Sequence, residues 1–350
     1  MKKSNIKISS KDKLTIISNL GTMLTAGIPI METVDSMLED TSANQKKILT
    51  SLREDLVQGK SIADSFSNFP NAFDPVTINL IKAAEKAGNL DTTLKDLTIN
   101  IKKEIEFNDK VKSALTYPLF VIGVFVAVLS VMLVFVIPRI SSVFKRLNVT
   151  LPLPTKILIN VSDLVLAYTI PTIVVIVVAV VLSVFLFKTQ KKRFMNALLS
   201  LPLLRGLARG IDLTRFNRSM ALLLSSGLPI MEALTLSADV VNKKEVFHLI
   251  ERSKEAVSTG KNLSDGLKGH KKIIPGVMIR IIQAGEKSGT LEKSMQDLAD
   301  YFDEEVSNKL KALSTLLEPI MLVVIGLLVG AMMLAVIAPI YNLIGNIASR

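Results

Sequence analysis

Two glutamates, Glu85 and Glu286, are the side chains whose placement most invites a chemical reading. Each stands three residues before a glycine, Gly88 or Gly289, inside matching runs: Ala83 to Leu97 (AAEKAGNLDTTLKDL) and Ala284 to Leu298 (AGEKSGTLEKSMQDL). A carboxylate in the last turn of a helix faces the negative end of the helix dipole, at a cost of a few tenths to about 1 kcal/mol. Something must offset that cost. The glycine turn brings the start of the following helix close, and its unpaired N–H groups can hold a carboxylate. The spacing therefore predicts that these glutamates pin a fifth helix to a sixth, with a direct partner contact or an ion-ligand role as the alternative.

Other chemistry is scarce. The chain has no cysteine, which removes disulfides, thiolate metal sites and thiol nucleophiles together. It has two histidines, His248 and His270, and neither recurs at the matching place 200 residues earlier, so they read as surface residues. Gly59-Lys60-Ser61 lacks the upstream glycine of a phosphate loop and follows a helix instead of a strand. No G-x-S-x-G elbow, H-E-x-x-H or C-x-x-C occurs, and no paired intramembrane aspartates. The expectation is no catalytic residue, no cofactor and no metal. A net charge of +11 could suit nucleic acid, but the lysines are scattered, aromatics make up 5% and tryptophan is absent. Lysines beside an anionic membrane surface are the better reading.

The elements that must carry these residues are membrane helices and helical modules. The chain is 49% hydrophobic with a mean hydropathy of +0.44. Residues 113–138 and 164–187 carry no charge, and none follows Glu318 until Arg350. Each stretch exceeds the roughly 20 apolar residues that cross a bilayer as a helix. Three spans are expected, at 113–138, 164–187 and 316–341. Met1 to Ser10 is polar and the apolar run after it is interrupted, so no cleavable signal peptide is expected and the N-terminus stays cytosolic. Lysines and arginines flank the proposed inner ends, although Arg139, Lys145, Arg146 and Lys156 fall in the segment 139–163 read as an external loop. Asp163 and Glu318 lie at the edges of apolar runs, where the cost of about 2.5 to 3.5 kcal/mol at mid-bilayer is avoided.

The sequence also repeats itself. Gly27-Ile28-Pro29-Ile30-Met31-Glu32 returns as Gly227-Leu228-Pro229-Ile230-Met231-Glu232, and with one more residue of offset the two glutamate runs align. Pro118 then pairs with Pro319 and Pro138 with Pro339, so the repeat includes the span that follows each module. Two copies meeting the same solvent require an even number of crossings between them. The second span is therefore a return helix. This gives an N-terminal tail at 1–10, cytosolic copy one at 11–112, cytosolic copy two at 188–311, and an external C-terminal tail at 342–350.

Within copy one, Ile16, Leu20, Met23, Leu24 and Gly27 share a helical face, as do Phe216, Met220, Leu223, Leu224 and Gly227 in copy two. Gly27 and Gly227 can end a helix in the left-handed region, and Pro29 and Pro229 open the next. A third helix runs to Gly59, Ser61 caps a fourth, Asp74 before Pro75 starts a fifth that ends at Gly88, and Leu90 begins a sixth. Pro118 and Pro319 are read as marking the entry into a span, at a kink or a first turn. No alternating strand pattern is found. The fold class is an all-α membrane protein with two homologous cytosolic bundles of about six helices each and three transmembrane helices.

Two helical modules carrying G-[IL]-P-I-M-E and [AG]-E-K-x-G-x-L, each running into an apolar helix with [YE]-P at its mouth, resemble the type II secretion system F family, from about Lys11 to Ile344. That family includes the platform proteins of type IV pili and competence pseudopili. One departure is that His270-Lys271 stand where copy one has Phe69-Pro70, which is expected to reshape that turn. The resemblance implies a non-enzymatic scaffold in the bacterial inner membrane. Its implied partners are a hexameric cytosolic assembly ATPase, pilin or pseudopilin subunits, other inner-membrane assembly proteins and further copies of itself as a homodimer or higher homo-oligomer. The rival reading is a small polytopic membrane transporter, which would need polar residues at mid-membrane beyond Ser130 and Ser183.

Overall fold

In a computed structural model of the chain, residues 5–39, 41–146, 202–270 and 273–348 are described, with isolated positions between 156 and 163. Among the described residues every regular element is helical. Copy one is built from α1 (Ser10–Thr25), α2 (Ile30–Leu38), α3 (Ala43–Val57), α4 (Ile62–Ser67), α5 (Pro75–Ala87) and α6 (Leu90–Val131). A π-helical turn, Met132–Val136, and α7 (Ile137–Arg146) follow. Copy two repeats the order as α8 (Pro202–Ser225), α9 (Ile230–Ala238), α10 (Lys244–Ser258), α11 (Leu263–Leu267), α12 (Gly276–Ser288) and α13 (Leu291–Ala348).

Local chemistry explains most of these boundaries. Ser9 and Asp12 form a reciprocal capping box at the start of α1, Ser61 accepts from the Asp64 N–H at 3.0 Å, and Asp74 accepts from Thr77 at 2.9 Å with Pro75 in the first turn of α5. The breaks after α1 and α8 use Gly27 and Gly227 at φ +80° and +81°, where a β-carbon would strain the backbone. The expected helices one to six thus appear in order in both copies. Of the segment read as a tail, Ile6 and Ile8 pack on the core and the Lys7 carbonyl accepts from Asn44 at 3.2 Å.

The chain divides into two compact units: Met1–Lys110 with Leu199–Asn308, and Val111–Leu198 with Lys309–Arg350. In the first, both modules share one hydrophobic core that includes Leu20, Leu52, Phe66, Phe216, Leu298 and Phe302. Burying aliphatic and aromatic side chains contributes roughly 1.5 to 3 kcal/mol each. Within this unit α5 packs against α8 and α9, which joins the copies.

Among the described residues of the second unit, large apolar side chains lie on the outside. Phe120, Val128, Phe135, Leu316, Leu322, Val323 and Leu327 are all more than half exposed, an arrangement that suits lipid and not water. One described helix, Leu291–Leu327, is long and apolar enough to cross a membrane, and Gly123–Arg139 is a shorter apolar stretch. Of the three spans expected, one is therefore matched by a helix of full length; the span at 164–187 lies outside the described residues. The segment read as an external loop begins as helix, because α7 continues to Arg146. Pro118 and Pro319 do not open helices: both lie inside unbroken ones, α6 and α13. Pro138 is accommodated by the π turn before it, in which the Ile137 N–H reaches back to the Met132 carbonyl. A proline ring clashes with the carbonyl four residues earlier, and a widened turn makes room for it.

Candidate functional site

Each proposed helix pin is a carboxylate at a helix start, but not the start predicted. Glu85 Oε1 accepts from the Ile62 N–H at 2.5 Å and Oε2 from the Ala63 N–H at 3.2 Å. These belong to the first turn of α4. The Ser61 hydroxyl satisfies only Asp64, which leaves the N–H groups of Ile62 and Ala63 open for Glu85 to fill. The pin therefore joins the fifth helix to the fourth and not to the sixth. Nearness along the chain had favoured the sixth; packing of α4 on α5 decides it. Glu286 repeats the arrangement more weakly, accepting from the Ser264 N–H of α11 at 3.3 Å while its second oxygen is enclosed without a hydrogen-bond partner. Gly88 and Gly289 end α5 and α12 at φ +72° and +70°.

A second carboxylate pair was missed. Asp12 and Asp212 occupy the same register in α1 and α8. Asp12 accepts from the Gln45 amide at 3.0 Å, and Asp212 accepts from the N–H groups of Asn242 at 3.1 Å and Lys243 at 2.6 Å. Both tie a module's first helix to the start of its third. Burial pushes the Asp212 carboxyl above its ordinary range, an effect that the two N–H groups and the Arg215 charge offset only in part. The signal was available, since an aspartate recurs at a separation of 200.

The joint between the copies was also missed. Arg218, almost fully buried, places its guanidinium 3.2 Å from the Asp303 carboxylate and 5.6 Å from the centroid of the buried Phe107 ring. Lys110 lies 3.5 Å from Asp303, Lys103 lies 3.5 Å from Asp300, and Arg215 donates to Asn108 at 3.2 Å. A buried guanidinium needs both a counter-charge and hydrogen bonds, and a stacked ring adds about 0.5 to 2 kcal/mol. These residues differ between copies: Arg215 and Arg218 replace Thr15 and Ser18, Asp303 replaces Lys102, and Phe107 stands opposite Asn308 in register. What distinguishes the copies is what joins them.

The α3–α4 corner differs in kind as well. In copy one, buried Asp55 receives Lys60 at 2.6 Å and the Asn68 amide at 3.5 Å. Burial pushes its carboxyl up, but the hydrogen bond and charge of Lys60, with the Ser65 hydroxyl nearby, outweigh that and hold it below the usual carboxylate range. Copy two has Ala256, Gly266 and Gly269 where copy one has Asp55, Ser65 and Asn68. A β-carbon on Gly266 would stand 2.6 Å from the Ser253 Cα, so the helices there meet backbone to backbone. The expected reshaping is confined to the residue before His270, where Gly269 takes φ +88° and its counterpart Asn68 takes −71°; the turn itself is kept, since the His270 carbonyl accepts from Ile273 at 2.8 Å and Ile274 at 3.0 Å as the Phe69 carbonyl does from Ala72 and Phe73. Lys271 lies outside the described residues. Among the described residues no group of histidines or carboxylates is arranged to hold a metal.

Comparison with known proteins matches this duplicated architecture. The family model described as "Type II secretion system (T2SS), protein F" matches twice, over residues 16–138 and 216–339. Both matched segments contain a module and the apolar helix after it. The chain is 31% identical over 342 residues to the type IV pilus assembly protein PilC of Thermus thermophilus, covering 97% of this chain and 84% of that one. It is 29% identical over 343 residues to PilC of Myxococcus xanthus, covering 97% and 82%. Over 339 residues it is 29% identical to the type II secretion system protein F of Pseudomonas aeruginosa, covering 96% and 84%. With two family matches in register with the internal repeat, the chain belongs to the type II secretion system protein F family.

Proposed function

We propose that this chain is a non-enzymatic platform in the bacterial inner membrane that links a hexameric cytosolic assembly ATPase to the assembly of pilin or pseudopilin subunits. The observation that carries the reading is the double family match, each half of it containing a helical module and its apolar helix. In this proposal the chain crosses the membrane three times, with a cytosolic N-terminus, an external C-terminus and both modules facing the motor. It acts with other inner-membrane assembly proteins and with further copies of itself.

The geometry supports a mechanical role. α6 and α13 each begin at a module's last junction, after Gly88 or Gly289, and continue as single helices into apolar sequence. The shared core and the Arg218–Asp303–Phe107 joint make the two modules one body. A displacement imposed by the ATPase would then be passed along two helices together to the subunit being inserted.

The test is an insertion of Gly-Pro after Lys110 in the organism that carries the protein. Fibre assembly or secretion is expected to be lost, while the ATPase still co-purifies with the variant. Normal assembly with the insertion, or no co-purification of the ATPase with the unaltered chain, would refute the proposal.

A further inference from the structure

The contact that joins the two modules is made by different faces of two related folds. Copy one offers α5, and copy two offers α8 and α9. The repeat therefore supplies a second, unused set of the same faces: α12 corresponds to α5, and α1 with α2 corresponds to α8 with α9. Burial shows that this second set is open. Leu222, Leu228 and Leu236 are buried in copy two, whereas Thr22 and Ser36 at matching positions are exposed and Ile28 is half-buried. Val76 and Leu80 are buried on α5, whereas Val277 and Ile281 on α12 are half-buried.

Charge indicates what covers them. The open α2 face is acidic, with exposed Glu32, Asp35 and Glu39, of which Asp35 also holds Arg53. The open α12 face is basic, with exposed Arg280 and Lys287. Three of these charges have like-signed counterparts in the internal pairing: Glu232 and Asp239 on α9, and Lys86 on α5. The other two, Asp35 and Arg280, correspond to uncharged residues beside the internal contact, exposed Thr235 on α9 and half-buried Asn79 on α5. An extra opposite pair has thus been placed on the two open faces alone.

We propose that α12 of one chain docks on the α1–α2 face of a second copy of the same chain, in the orientation by which α5 meets α8 and α9 within one chain. The contact is heterologous, so successive chains join head to tail and close into a ring if the rotation allows. Two of the three leucines are replaced by Thr22 and Ser36, and charges stand at Asp35 and Arg280, which makes the contact weaker than the internal one and sensitive to salt. It gives the self-association in the proposed function a definite surface, but it rests on the two copies' geometry and would stand or fall apart from the platform reading.

The chain has no cysteine, so full-length protein in lipid nanodiscs can carry single probes without background. Glu39→Cys in one tagged chain and Arg280→Cys in a differently tagged chain, co-expressed, should cross-link through a short bifunctional reagent several-fold better than either variant with itself. Arg280→Glu should weaken self-association by roughly threefold to tenfold, and Asp35→Lys added to it should restore most of that loss. Homotypic cross-links as strong as the heterotypic one, no cross-link between the differently tagged chains, or an Arg280→Glu effect that Asp35→Lys does not relieve would each overturn the proposal. Piliation and ATPase co-purification are separate readouts, so failure here is distinguishable from failure of the platform reading.

Discussion

The α3–α4 corner of copy one and the α10–α11 corner of copy two follow nearly the same path with opposite chemistry. One buries a carboxylate and satisfies it with Lys60 and Asn68; the other removes the side chains and closes the gap with Ala256 and Gly266. A backbone arrangement can thus be kept either by a saturated polar cluster or by close approach, and the two tolerate different changes. The first depends on every partner being present, and the second on nothing being added.

Gly266→Ala should show the difference most strongly. Its β-carbon meets backbone at 2.6 Å, and overpacking of that kind costs about 1 to 3 kcal/mol. Hydrogen exchange of α10 and α11 should accelerate, whereas Ser65→Ala at the matching place in copy one should cost about 1 kcal/mol or less. Equal effects would mean that the two corners are not built differently. Next comes the glutamate pair. Glu85→Gln weakens two bonds to α4 and should cost about 1 to 2 kcal/mol, while Glu286→Gln, which touches one bond at 3.3 Å, should cost less than about 1 kcal/mol. A larger loss at Glu286 would show that its second oxygen has a role beyond pinning α11. Asp74→Ala should cost about 1 kcal/mol as a lost helix cap, because Asp74 accepts from Thr77 and from Lys13 at 2.7 Å. Its counterpart Pro275 has no such bond, and Pro275→Ala should leave the start of α12 intact.

The smallest effect is in pH. Asp55 is held below its ordinary range, so its stabilising contribution is complete above the unfolded value of about 3.9 and is lost as pH falls through the lower folded value. Asp212 is pushed up, so the folded state binds its proton more tightly than the unfolded chain does. Stability tied to Asp212 is therefore greatest below about 3.9 and declines as pH rises through the raised folded value. As pH falls from neutral toward about 3.9, exchange corrected for its intrinsic pH dependence should slow near Asp212 and stay unchanged near Asp55. Asp212→Asn should remove the slope.

Helix order, the glycine turns and the duplicated boundaries were legible because each is set by local chemistry. A left-handed glycine at 27 or 88, a serine cap at 61 and Pro75 in a first turn leave few alternatives. The partner of Glu85 was not legible, because two helix starts offer free N–H groups and only tertiary packing brings α4 to it. The joint at Arg218, Phe107 and Asp303 escaped for a related reason. Reading the repeat for identity directs attention to what the copies share, and a contact between copies is made by residues in which they differ. Pro118 and Pro319 show a limit of propensity, since long apolar helices pass through both without a break.

The π turn at Met132–Val136 has a consequence for phase. Such a turn holds one more residue than the α-helical turn it replaces, so everything after it is rotated by about 100° relative to an uninterrupted helix. The stripe that Phe120, Val128 and Val131 present is thereby taken out of step with Arg139 of α7. Deleting a single residue between 132 and 136 would leave length, composition and hydropathy almost untouched while turning Arg139 toward a different azimuth.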